Sequence, residues 1–349
     1  MAAGKGSARR PTMWDVAREV GVSQSLVSMV FRDIPGPGEE TRRRILETAA
    51  AMGYVRNEPA RSLRSQRPTA IGVVFRTHQP FHDEIVDALY AAVAPTPHDL
   101  MLSAVSDSRS ERTAVEELIG HRCGAVVLIG PRTGDEELAG WAGRVPLVVV
   151  ARRLAAGPGA WVLSDDDEGM RMIVEHLVGF GHHDIVYFSA ALEAGGRERL
   201  DALGRAVAGS GDGVRVRAVP AGITEDEGAA AVASALAGGR RPTAIIAFND
   251  RCALGVMEAL HRRGLRVPQD VSLVGYDDSS IAARSTMDLT SVHQDTGALA
   301  SIAASRATAR IAGDDDGAGG DTVPVRLVVR SSTGPAPQDA GSSHSSRRR

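Results

Sequence analysis

The sequence predicts two parts, an all-α head of helix-turn-helix type and a larger α/β region of doubly wound parallel sheets in two lobes. The head is indicated by two short helical patterns in residues 12–32 that meet at Gly21. The α/β region is indicated by short apolar runs that alternate with amphipathic segments from residue 70 onward. A chain of 349 residues is long enough for two or three such domains.

The first helix of the head begins at a capping signal. Thr12 followed by Asp15 fits a capping box, in which the two side chains satisfy free backbone N–H groups. Gly21 stands where the chain must turn sharply, and glycine accepts a positive φ without a Cβ clash. Between them, the apolar residues that share one helical face are Val16, Ala17 and Val20.

The second helix of the head follows Ser23, which can cap it, and has two contrasting faces. The inward stripe is Leu26, Val27, Val30 and Phe31. The outward stripe is Gln24, Ser25, Ser28, Met29 and Arg32. Short polar side chains at the start of a helix suit entry into the major groove of DNA, where they bond base edges. Taken alone, these residues fit an ordinary helical hairpin with a solvated face equally well.

A third helix over residues 39–52 completes the head and ends at Gly53. Its predicted inward residues are Ile45, Leu46, Ala49 and Met52, and arginines 42–44 stand near its start. Residues 1–68 hold 12 basic and 7 acidic residues, a net charge of +5. The chain has 40 basic and 43 acidic residues in total, so the remainder holds 28 basic and 36 acidic residues, a net charge of −8. A basic head on an acidic body suits phosphate contacts, which supply affinity but no sequence information.

From residue 70 the pattern predicts strands and helices in alternation. The strands are expected at 70–75, 100–105, 124–129, 147–150, 184–188, 215–219, 244–248 and 271–275. The helices are expected at 81–94, 109–120, 167–179, 226–237 and 251–264. Such alternation is typical of parallel, doubly wound sheets, and eight strands indicate two subdomains. Ligands of these sheets bind at the carboxyl ends of the strands, here the cleft between the lobes.

Composition limits the other classes of protein. No segment approaches the run of about 18 apolar residues that a membrane span needs, and the first residues lack the apolar run of a secretory signal. Cys123 and Cys252 have no metal-ligand spacing, so we expect reduced core residues in a cytosolic protein. Residues 1–10 and 336–349 are predicted to be disordered. We expect no cofactor and no metal.

The combined motifs closely resemble the LacI/GalR family of bacterial transcription regulators. In the head and linker the matching residues are Asp15-Val16-Ala17, Gly21-Val22-Ser23, Val27-Ser28, Thr41-Arg42, Gly53-Tyr54, Asn57, Ala60-Arg61-Ser62-Leu63 and Ile71-Gly72. The α/β region is similar to the family's sensor, itself similar to periplasmic sugar-binding proteins. It matches at Glu175-His176-Leu177, Gly181-His182, Phe248-Asn249-Asp250, Val274-Gly275-Tyr276-Asp277-Asp278 and Leu289-Thr290-Ser291-Val292.

The resemblance implies a domain plan. Residues 11–56 would form the DNA-binding domain, 57–68 a hinge helix and linker, and 69–335 the effector-binding and dimerisation domain. Within the latter, lobe 1 would comprise about 69–161 and 288–320, and lobe 2 about 162–287 and 321–335.

The resemblance also implies a function. We expect a cytoplasmic, nucleoid-associated repressor that binds a pseudo-palindromic DNA operator as a homodimer, or a tetramer by further pairing. Its effector would be a small molecule, a sugar or related metabolite, bound in the cleft. A co-repressor-dependent regulator, or an activator, that responds to a non-sugar ligand such as a nucleobase remains open.

By resemblance, DNA contacts fall on the head and the hinge. The head residues are Thr12, Ser23, Gln24, Ser25, Ser28, Met29 and Arg32, and the hinge residues are Asn57, Ala60, Arg61, Leu63 and Arg64. Family hinges fold into a helix only when two copies meet on DNA, and the matching leucine wedges into the minor groove. A helix of about eight residues is marginal in water, as a switchable element requires.

Effector contacts are implied in the same way. The residues at family contact positions are Arg199, Asn249, Asp250, Asp277 and Gln294, with Ile223 at a site that often carries an aromatic ring and Phe81 as an apolar wall. An arginine fork, carboxylates and amides suit a polyol, because each can bond two hydroxyls at once. Asn249 and Asp277 would alternatively only cap the helices that follow them.

Several residues depart from the family pattern. Met29 replaces an arginine that would bond a guanine edge, and Arg32 replaces the usual asparagine, so we expect an operator unlike the commonest family palindrome. Ala202-Leu203 replaces a Gly-aromatic pair after Arg199. Ile223 cannot stack on a sugar face, which makes a hexose a less certain effector.

Two rival classes are disfavoured. An enzyme with a doubly wound sheet would need a phosphate-binding motif, but the first strand is followed by neither G-x-G-x-x-G nor a P-loop, and Gly195-Gly196 lacks the remaining glycines. No Gly-x-Ser-x-Gly elbow is present, and His182-His183-Asp184 fits a loop better than a metal site or a general base. A secreted solute-binding protein would have no use for the basic head. We therefore expect no enzymatic activity.

Overall fold

The computed structural model describes residues 11–31, 34–54, 70–154, 157–211, 213–237, 241–314 and 319–337. These residues fall into two compact units, one before and one after the stretch 55–69. Arg32, the predicted hinge contacts and most of both predicted disordered ends lie outside the described residues. Ala336, placed in the disordered tail by the sequence, is instead fixed, because its N–H donates to the carbonyl of Phe180 at 2.8 Å.

The first unit is a three-helix head with one small core. Its helices are α1 (Met13–Val20), α2 (Gln24–Phe31) and α3 (Glu39–Ala51). The core is made by Val16, Ala17, Val20, Val27, Val30, Ile45 and Ala49. Two residues that were predicted to lie in this core do not belong to it. Leu46 is 44% exposed, and Leu26 is half-buried outside the cluster. Each follows or precedes a buried residue by one position, which turns it about 100° away from the buried stripe.

The second unit contains two six-stranded sheets, which confirms the predicted α/β class. Sheet 1 has the order β11-β5-β4-β3-β1-β2 and sheet 2 the order β12-β10-β9-β8-β6-β7. The strands of sheet 1 are β1 (Ala70–Arg76), β2 (Asp99–Val105), β3 (Ala125–Ile129), β4 (Leu147–Val150), β5 (Ala160–Ser164) and β11 (Gly319–Val323). Those of sheet 2 are β6 (Asp184–Ser189), β7 (Arg215–Pro220), β8 (Ala244–Ile246), β9 (Ser272–Asp277), β10 (Thr290–Gln294) and β12 (Val325–Val328). All pairs are parallel except the edge pair of β10 and β12.

Helices cover both faces of each sheet. Those around sheet 1 are α4 (Pro80–Val93), α5 (Glu111–Gly120), α6 (Asp135–Ala142) and α11 (Thr296–Ala312). Those around sheet 2 are α7 (Asp166–Gly179), α8 (Gly196–Gly209), α9 (Glu225–Leu236) and α10 (Asp250–Arg262). The central strands β3 and β4 are buried along their whole length, which explains their unbroken apolar sequences.

Each sheet with its helices forms one lobe, and the chain crosses between lobes three times. It crosses after β5, after β10 and after β11, because β5 and β11 pair in sheet 1 while β10 pairs in sheet 2. The crossings therefore follow Ser164, Gln294 and Val323, each a few residues later than proposed at 161, 287 and 320. Hydrogen-bond pairing decides these boundaries, and a one-dimensional apolar pattern does not contain it.

The cysteines and the helix lengths complete the description. Cys123 and Cys252 are both free and buried, as expected, and burial raises the pKa of their thiols to about 11 and about 12. Among the described residues, no helix combines the length and the apolar character that crossing a membrane requires.

Candidate functional site

The tight turn of the head is built as the sequence predicts. Thr12 Oγ1 accepts the N–H of Asp15 at 3.3 Å, and Asp15 Oδ2 accepts the N–H of Thr12 at 2.8 Å, which completes the capping box. Gly21 has a φ of 75°, and Ser23 Oγ accepts the N–H of Leu26 at 3.2 Å. Two short helices are thus fixed at both sides of a left-handed residue, and the second one is free to present its outer face.

The outer face of α2 carries the side chains proposed to read DNA. Ser23, Gln24 and Ser25 are exposed at the start of the helix, and the hydroxyls of Ser23 and Ser25 are 2.8 Å apart. Ser28 and Met29 are half-buried. A Cβ placed on Gly36 would lie only 2.9 Å from Cε of Met29, so the methionine tip packs against the loop before α3. The first turn of α2 is therefore the most available reading surface, with donors and acceptors but no cation.

The arginine run of α3 has a supporting role that the sequence left undecided. Arg42 approaches the carbonyls of Val30 and Ile34 at 3.5 and 3.4 Å, and Arg44 donates to the carbonyl of Val20 at 3.2 Å. Val20 ends α1 and Val30 lies in the last turn of α2, where cations are favoured by free carbonyls and the helix dipole. Arg44 thus attaches α3 to the end of α1, and Arg42 attaches it to the end of α2.

One exposed pair on α1 escaped the sequence reasoning. Trp14 is 54% exposed, and the guanidinium of Arg18 lies 4.7 Å from its ring centre. Arg18 also approaches Asp15 at 3.6 Å. An apolar residue early in an amphipathic helix was open to a core assignment, and only the packing of α1 on α3 shows that it points outward.

In the second unit, the carboxyl ends of neighbouring strands gather the proposed effector residues. Asp277 ends β9 and Gln294 ends β10, while Phe248 and Asn249 follow β8. Arg199 lies on α8, which follows β6, and Asp166 begins α7 directly after the crossing from β5. Since all these strands are parallel, their carboxyl ends meet at one edge of sheet 2.

Arg199 is the centre of this cluster and is only 6% exposed. Its Nε donates to Asp166 Oδ1 at 3.1 Å and its Nη1 donates to the carbonyl of Phe248 at 3.0 Å. The guanidinium carbon lies 3.8 Å from the ring centre of Tyr276 and 4.8 Å from that of Phe248. Ion pair, hydrogen bonds and stacking fix the guanidinium plane, which leaves Nη2 as a preorganised donor.

Asp166 and Tyr276 are partners of Arg199 that the sequence reasoning missed as site residues. The Tyr276 hydroxyl donates to Asp166 Oδ1 at 2.7 Å, the same oxygen that accepts from Arg199. Burial raises the pKa of Asp166, and Arg199 and the Tyr276 hydroxyl oppose that rise. Burial alone would lower the pKa of Arg199, but the neighbouring carboxylates hold it above its ordinary value. The acidic run after β5 was the available signal, because it starts a helix at a strand end.

Asp277 and Gln294 form the second part of the cluster. Gln294 Nε2 donates to Asp277 Oδ1 at 2.7 Å, and both residues are buried. Asp277 has a φ of 108°, a left-handed conformation that its surroundings must impose. Burial raises the pKa of Asp277, with Arg199 opposing and Asp250 adding to the rise. Asp277 caps none of the described helices. One oxygen of its carboxylate accepts from the Gln294 amide, and the other has no hydrogen-bond partner among the described residues.

Two proposed contacts act mainly on the protein itself. Asn249 caps α10, since its Oδ1 accepts the N–H of Cys252 at 2.8 Å. The Asp250 carboxylate accepts from the N–H and hydroxyl of Ser279, at 2.7 and 2.9 Å, and from the hydroxyl of Ser291 at 2.6 Å. Burial raises the pKa of Asp250 to about 7. Asp250 thus holds the segment after β9 against α10, and in this way it supports the position of Asp277 at the end of β9.

His82 of α4, rather than Phe81, lies next to lobe 2. Phe81 is 7% exposed and belongs to the core between sheet 1 and its helices. His82 Nδ1 accepts the N–H of Arg76 at 3.0 Å, so Nε2 carries the proton of the neutral ring. A Cβ placed on Gly130 would lie 3.0 Å from that Nε2 and 3.7 Å from Cβ of Ala194 in lobe 2. Adjacent positions of a helix point in different directions, and the sequence alone did not decide which one faced the cleft.

Ile223 lies in the loop between β7 and α9 and is half-buried against the core of lobe 2. Its N–H donates to Glu227 Oε2 at 2.9 Å, as does that of Thr224 at 3.0 Å. The position offers an apolar surface without a ring, so any ligand recognition in this cleft depends on its polar groups.

The protonation of His82 makes a testable contribution to stability. Burial, together with the charge of Arg76, lowers the pKa of His82 to about 3, against 6.5 when unfolded. Between these values the unfolded chain binds a proton that the folded chain does not, so stability should fall as pH drops below 6.5. The slope from this residue is about 1.4 kcal/mol per pH unit. Urea unfolding from pH 7 to pH 4 should show a shallower fall in His82→Asn, which keeps an acceptor for the Arg76 N–H.

The exposed His121 provides the control for that measurement. His121→Asn removes an imidazole that is not buried, and so reports how the profile responds to the loss of any histidine. An unchanged slope in His82→Asn would show that folding does not lower the pKa of His82.

Comparison with known proteins accounts for both units. Residues 12–57 match the model of bacterial regulatory proteins of the lacI family, and residues 174–333 match a periplasmic binding protein-like domain. The transcriptional regulator GalR of Escherichia coli K12 is 31% identical over 303 residues, which cover 85% of this chain and 88% of GalR. The crystal structure of a LacI transcriptional regulator from a Rhodococcus species superposes with a TM-score of 0.74, over 77% of this chain and 100% of that one. The two sequences are 40% identical.

The match extends to a structure that contains DNA. The lac repressor dimer bound to operator and the anti-inducer ONPF is 26% identical, with a TM-score of 0.78 over 93% of this chain and 100% of the repressor chain. These relatives are transcriptional regulators and not enzymes, in agreement with the sequence prediction. A helix-turn-helix head, a two-lobed α/β sensor and a relative of this identity and coverage lead to one conclusion: the chain belongs to the LacI family of bacterial transcriptional regulators.

Proposed function

We propose that this LacI-family regulator is a repressor that binds a pseudo-palindromic operator as a homodimer and is controlled by a small polyhydroxylated effector. The observation that carries the effector part is the buried cluster of Arg199, Asp166, Tyr276, Asp277 and Gln294 at the strand ends of sheet 2. Burying so many charged and polar groups is costly unless they are paired, and the pairing leaves donors and acceptors directed to the cleft.

The chemistry of the cleft favours a neutral polyol such as a sugar. Arg199 is already neutralised by Asp166, so an anionic ligand gains no unpaired cation there. Asp277 supplies an acceptor for hydroxyl protons, and Arg199 Nη2 and His82 Nε2 supply donors for hydroxyl oxygens. Ile223 offers no ring for stacking. A nucleobase co-repressor, the second candidate, would use the same donors and acceptors but would need an apolar slot that fits a planar ring.

On DNA, the head is proposed to place the first turn of α2 in the major groove. Ser23, Gln24 and Ser25 would bond base edges, with Thr12 and Ser28 close to the backbone and Met29 in apolar contact. The hinge contacts proposed from sequence, which lie outside the described residues, are Asn57, Ala60, Arg61, Leu63 and Arg64. Leu63 would wedge into the minor groove at the operator centre. The lac repressor dimer bound to operator supports two heads on one site.

The effector would act by differential affinity for two lobe arrangements. A ligand that binds one arrangement better shifts the population toward it, and the shift changes the spacing of the two hinges. The regulator would work in the cytoplasm on the nucleoid, as a dimer or as a tetramer made of two dimers.

The proposal is tested by operator selection and ligand screening on the full chain. Selection from random duplex DNA should yield one pseudo-palindrome, bound far more tightly than a scrambled duplex of equal length. Thermal-shift screening against sugars, sugar alcohols and nucleobases should give hits in the first two classes that Asp277→Ala removes. Equal affinity for scrambled DNA would refute the specific reader, and hits confined to nucleobases would establish the second candidate.

Replacing Met29 with arginine should change the operator that is selected. An arginine there can bond O6 and N7 of a guanine, a contact that discriminates by about 1–3 kcal/mol against other bases. Selection with Met29→Arg should therefore enrich guanine at one position in each half-site. Ala50→Arg, an exposed position on α3, adds the same charge and should strengthen binding at low salt without changing the sequence. Identical operators for Met29→Arg and the unsubstituted chain would place residue 29 away from the bases.

A further inference from the structure

Among the residues that the structure describes, three polar contacts join the two lobes across the cleft. Nη2 of Arg132, in the segment after β3, contacts Oε1 of Glu193, in the loop between β6 and α8. Arg251 Nη1 on α10 donates to the carbonyl of His78 at 2.8 Å. The N–H of Ser280 donates to Oε1 of Glu84 on α4 at 3.0 Å. In each pair one partner belongs to lobe 1 and the other to lobe 2, so opening the cleft breaks all three.

The Arg132–Glu193 pair is the one of these three contacts that joins two charged side chains. The Glu193 side chain is only 10% exposed although its loop belongs to lobe 2. It lies close to Arg132, Arg76 and Glu111, whose side chains line a recess at the ends of β1 and β3 in lobe 1. Burial raises the pKa of Glu193, Arg132 and Arg76 oppose that rise, and Glu227 and Glu111 add to it. A carboxylate this buried is strongly disfavoured without its cation, so in the closed arrangement Arg132 offsets part of the cost of burying Glu193.

The recess that receives Glu193 is rigid. Glu111 at the start of α5 accepts the backbone N–H of Arg132 at 2.9 Å and that of Thr133 at 2.9 Å. The same carboxylate lies 3.7 Å from the guanidinium of Arg76 at the end of β1. Arg132 is therefore held by its backbone in the position where Glu193 meets it, which reduces the entropy lost when the pair forms.

The second contact is also preorganised. Arg251 Nε lies 2.6 Å from Glu225 Oε2, at the start of α9, and this pairing directs its other nitrogen to the His78 carbonyl. His78 has a φ of 59°, which turns that carbonyl out of the loop after β1. Donor and acceptor are thus each fixed within their own lobe before the cleft closes.

We propose that the sensor closes on itself without an effector, through a latch in which Glu193 of lobe 2 inserts into the Arg132 recess of lobe 1. The contacts of Arg251 with His78 and of Ser280 with Glu84 secure the same closed arrangement. An effector then acts on a cleft that is already closed, by strengthening or breaking the latch. The link to DNA rests on the proposed function, but closure itself is measured without effector or operator, so the two can fail separately.

The latch is tested by an intrachain distance between the lobes. Ser108 and Asp226 are exposed and lie just beyond β2 and β7, the strands farthest from the three crossings, so their separation grows when the cleft opens. Both native cysteines are buried, which allows spin labels at Ser108→Cys and Asp226→Cys. Full-length labelled chain, diluted into excess unlabelled chain, restricts the electron–electron distance measurement to labels within one chain.

The unsubstituted background should give one short, narrow distance distribution with no ligand present. Glu193→Gln keeps the shape but removes the charge, and it should add a longer, broader population, as should Arg132→Gln. The exchange of both residues, Arg132→Glu with Glu193→Arg, should recover a larger short-distance fraction than either single reversal. The control is Glu116→Gln, which removes an ion pair with Arg144 inside lobe 1 and should leave the distance unchanged.

Two results would overturn the latch. One is an unchanged short distance in a folded Glu193→Gln chain, which would show that other contacts close the cleft. The other is an equal opening in Glu116→Gln, which would show that loss of any ion pair loosens the lobes. Circular dichroism of each variant separates opening from unfolding.

Discussion

Replacing Arg199 with methionine should remove about 3–5 kcal/mol from the unfolding free energy of the sensor. The reason is Asp166, whose buried carboxylate would keep only the Tyr276 hydroxyl as a partner. Methionine fills much of the same space between the rings of Tyr276 and Phe248, so the loss reports the stranded charge rather than a cavity. Urea unfolding at pH 7.5, followed by circular dichroism, measures the effect.

Two further variants identify the cause of that loss. Arg199→Met combined with Asp166→Asn removes both charges and should be clearly more stable than Arg199→Met alone. Arg205 lies on α8, like Arg199, and forms an exposed ion pair with Asp167 of α7. Arg205→Met breaks that pair and should cost below about 1 kcal/mol. Equal losses in Arg205→Met and Arg199→Met would show that burial of the Arg199–Asp166 pair has no special weight.

The Arg199→Met variant should also depend on pH in a definite direction. Without its cation, the folded-state pKa of Asp166 rises further above its unfolded value of about 3.9. As pH increases from 4, the unfolded chain loses this proton first, so the variant loses stability relative to the parent. The deficit should therefore be small at pH 4 and full at pH 7.5. A deficit that is constant over this range would contradict a stranded carboxylate.

Substituting Gly255 with alanine is expected to give the second large effect. A Cβ at this position would lie 1.8 Å from the carbonyl oxygen of Glu225, because the backbones of α10 and α9 touch there. A backbone carbonyl cannot move aside like the end of a side chain, so the helices must separate. We expect this to lower the unfolding free energy by about 3 kcal/mol. Glu225 pairs with Arg251, and its displacement should also weaken the Arg251 contact to His78 across the cleft.

Gly204 on α8 provides a matched helical control, since nothing lies within 4 Å of a Cβ placed there. Gly204→Ala should stabilise the sensor by up to about 1 kcal/mol, because alanine is the better helix former. Denaturation midpoints of the two variants should therefore move in opposite directions. A stable Gly255→Ala protein would show that α9 and α10 can separate freely.

The regular elements were largely predictable from local pattern. The capping box of Thr12 and Asp15, the turn at Gly21 and the cap at Ser23 follow from residues three or four positions apart. The alternation of apolar runs located eight strands, because a buried parallel strand must be apolar over its whole length. The pattern did not name β5, β10, β11 and β12, nor the helices α6, α8 and α11. It also placed Leu46 in a core that it does not enter.

The site was predictable in part, and the misses share one cause. Arg199, Asp277 and Gln294 were named from motifs, and the strand ends bring them together as expected of a parallel sheet. Asp166 and Tyr276 were not named, because their value comes from meeting Arg199 across 33 and 77 residues of sequence. Phe81 was named as an apolar wall but packs into the core of lobe 1, because one helical step, not composition, decides which residue of α4 lies next to the cleft.

The sequence by itself therefore determined the two parts of this protein, the helix-turn-helix of the head and the family to which the chain belongs. These depend on local propensity, capping and periodicity, which act over a few residues. Only the tertiary structure decided that Asp250 bonds Ser279 and Ser291 beside the site, and that His82 lies next to lobe 2. It also decided that Glu193 of lobe 2 contacts Arg132 of lobe 1. Those relations depend on which strand ends become neighbours and which side chains lose water, and neither property is written in any short stretch of sequence.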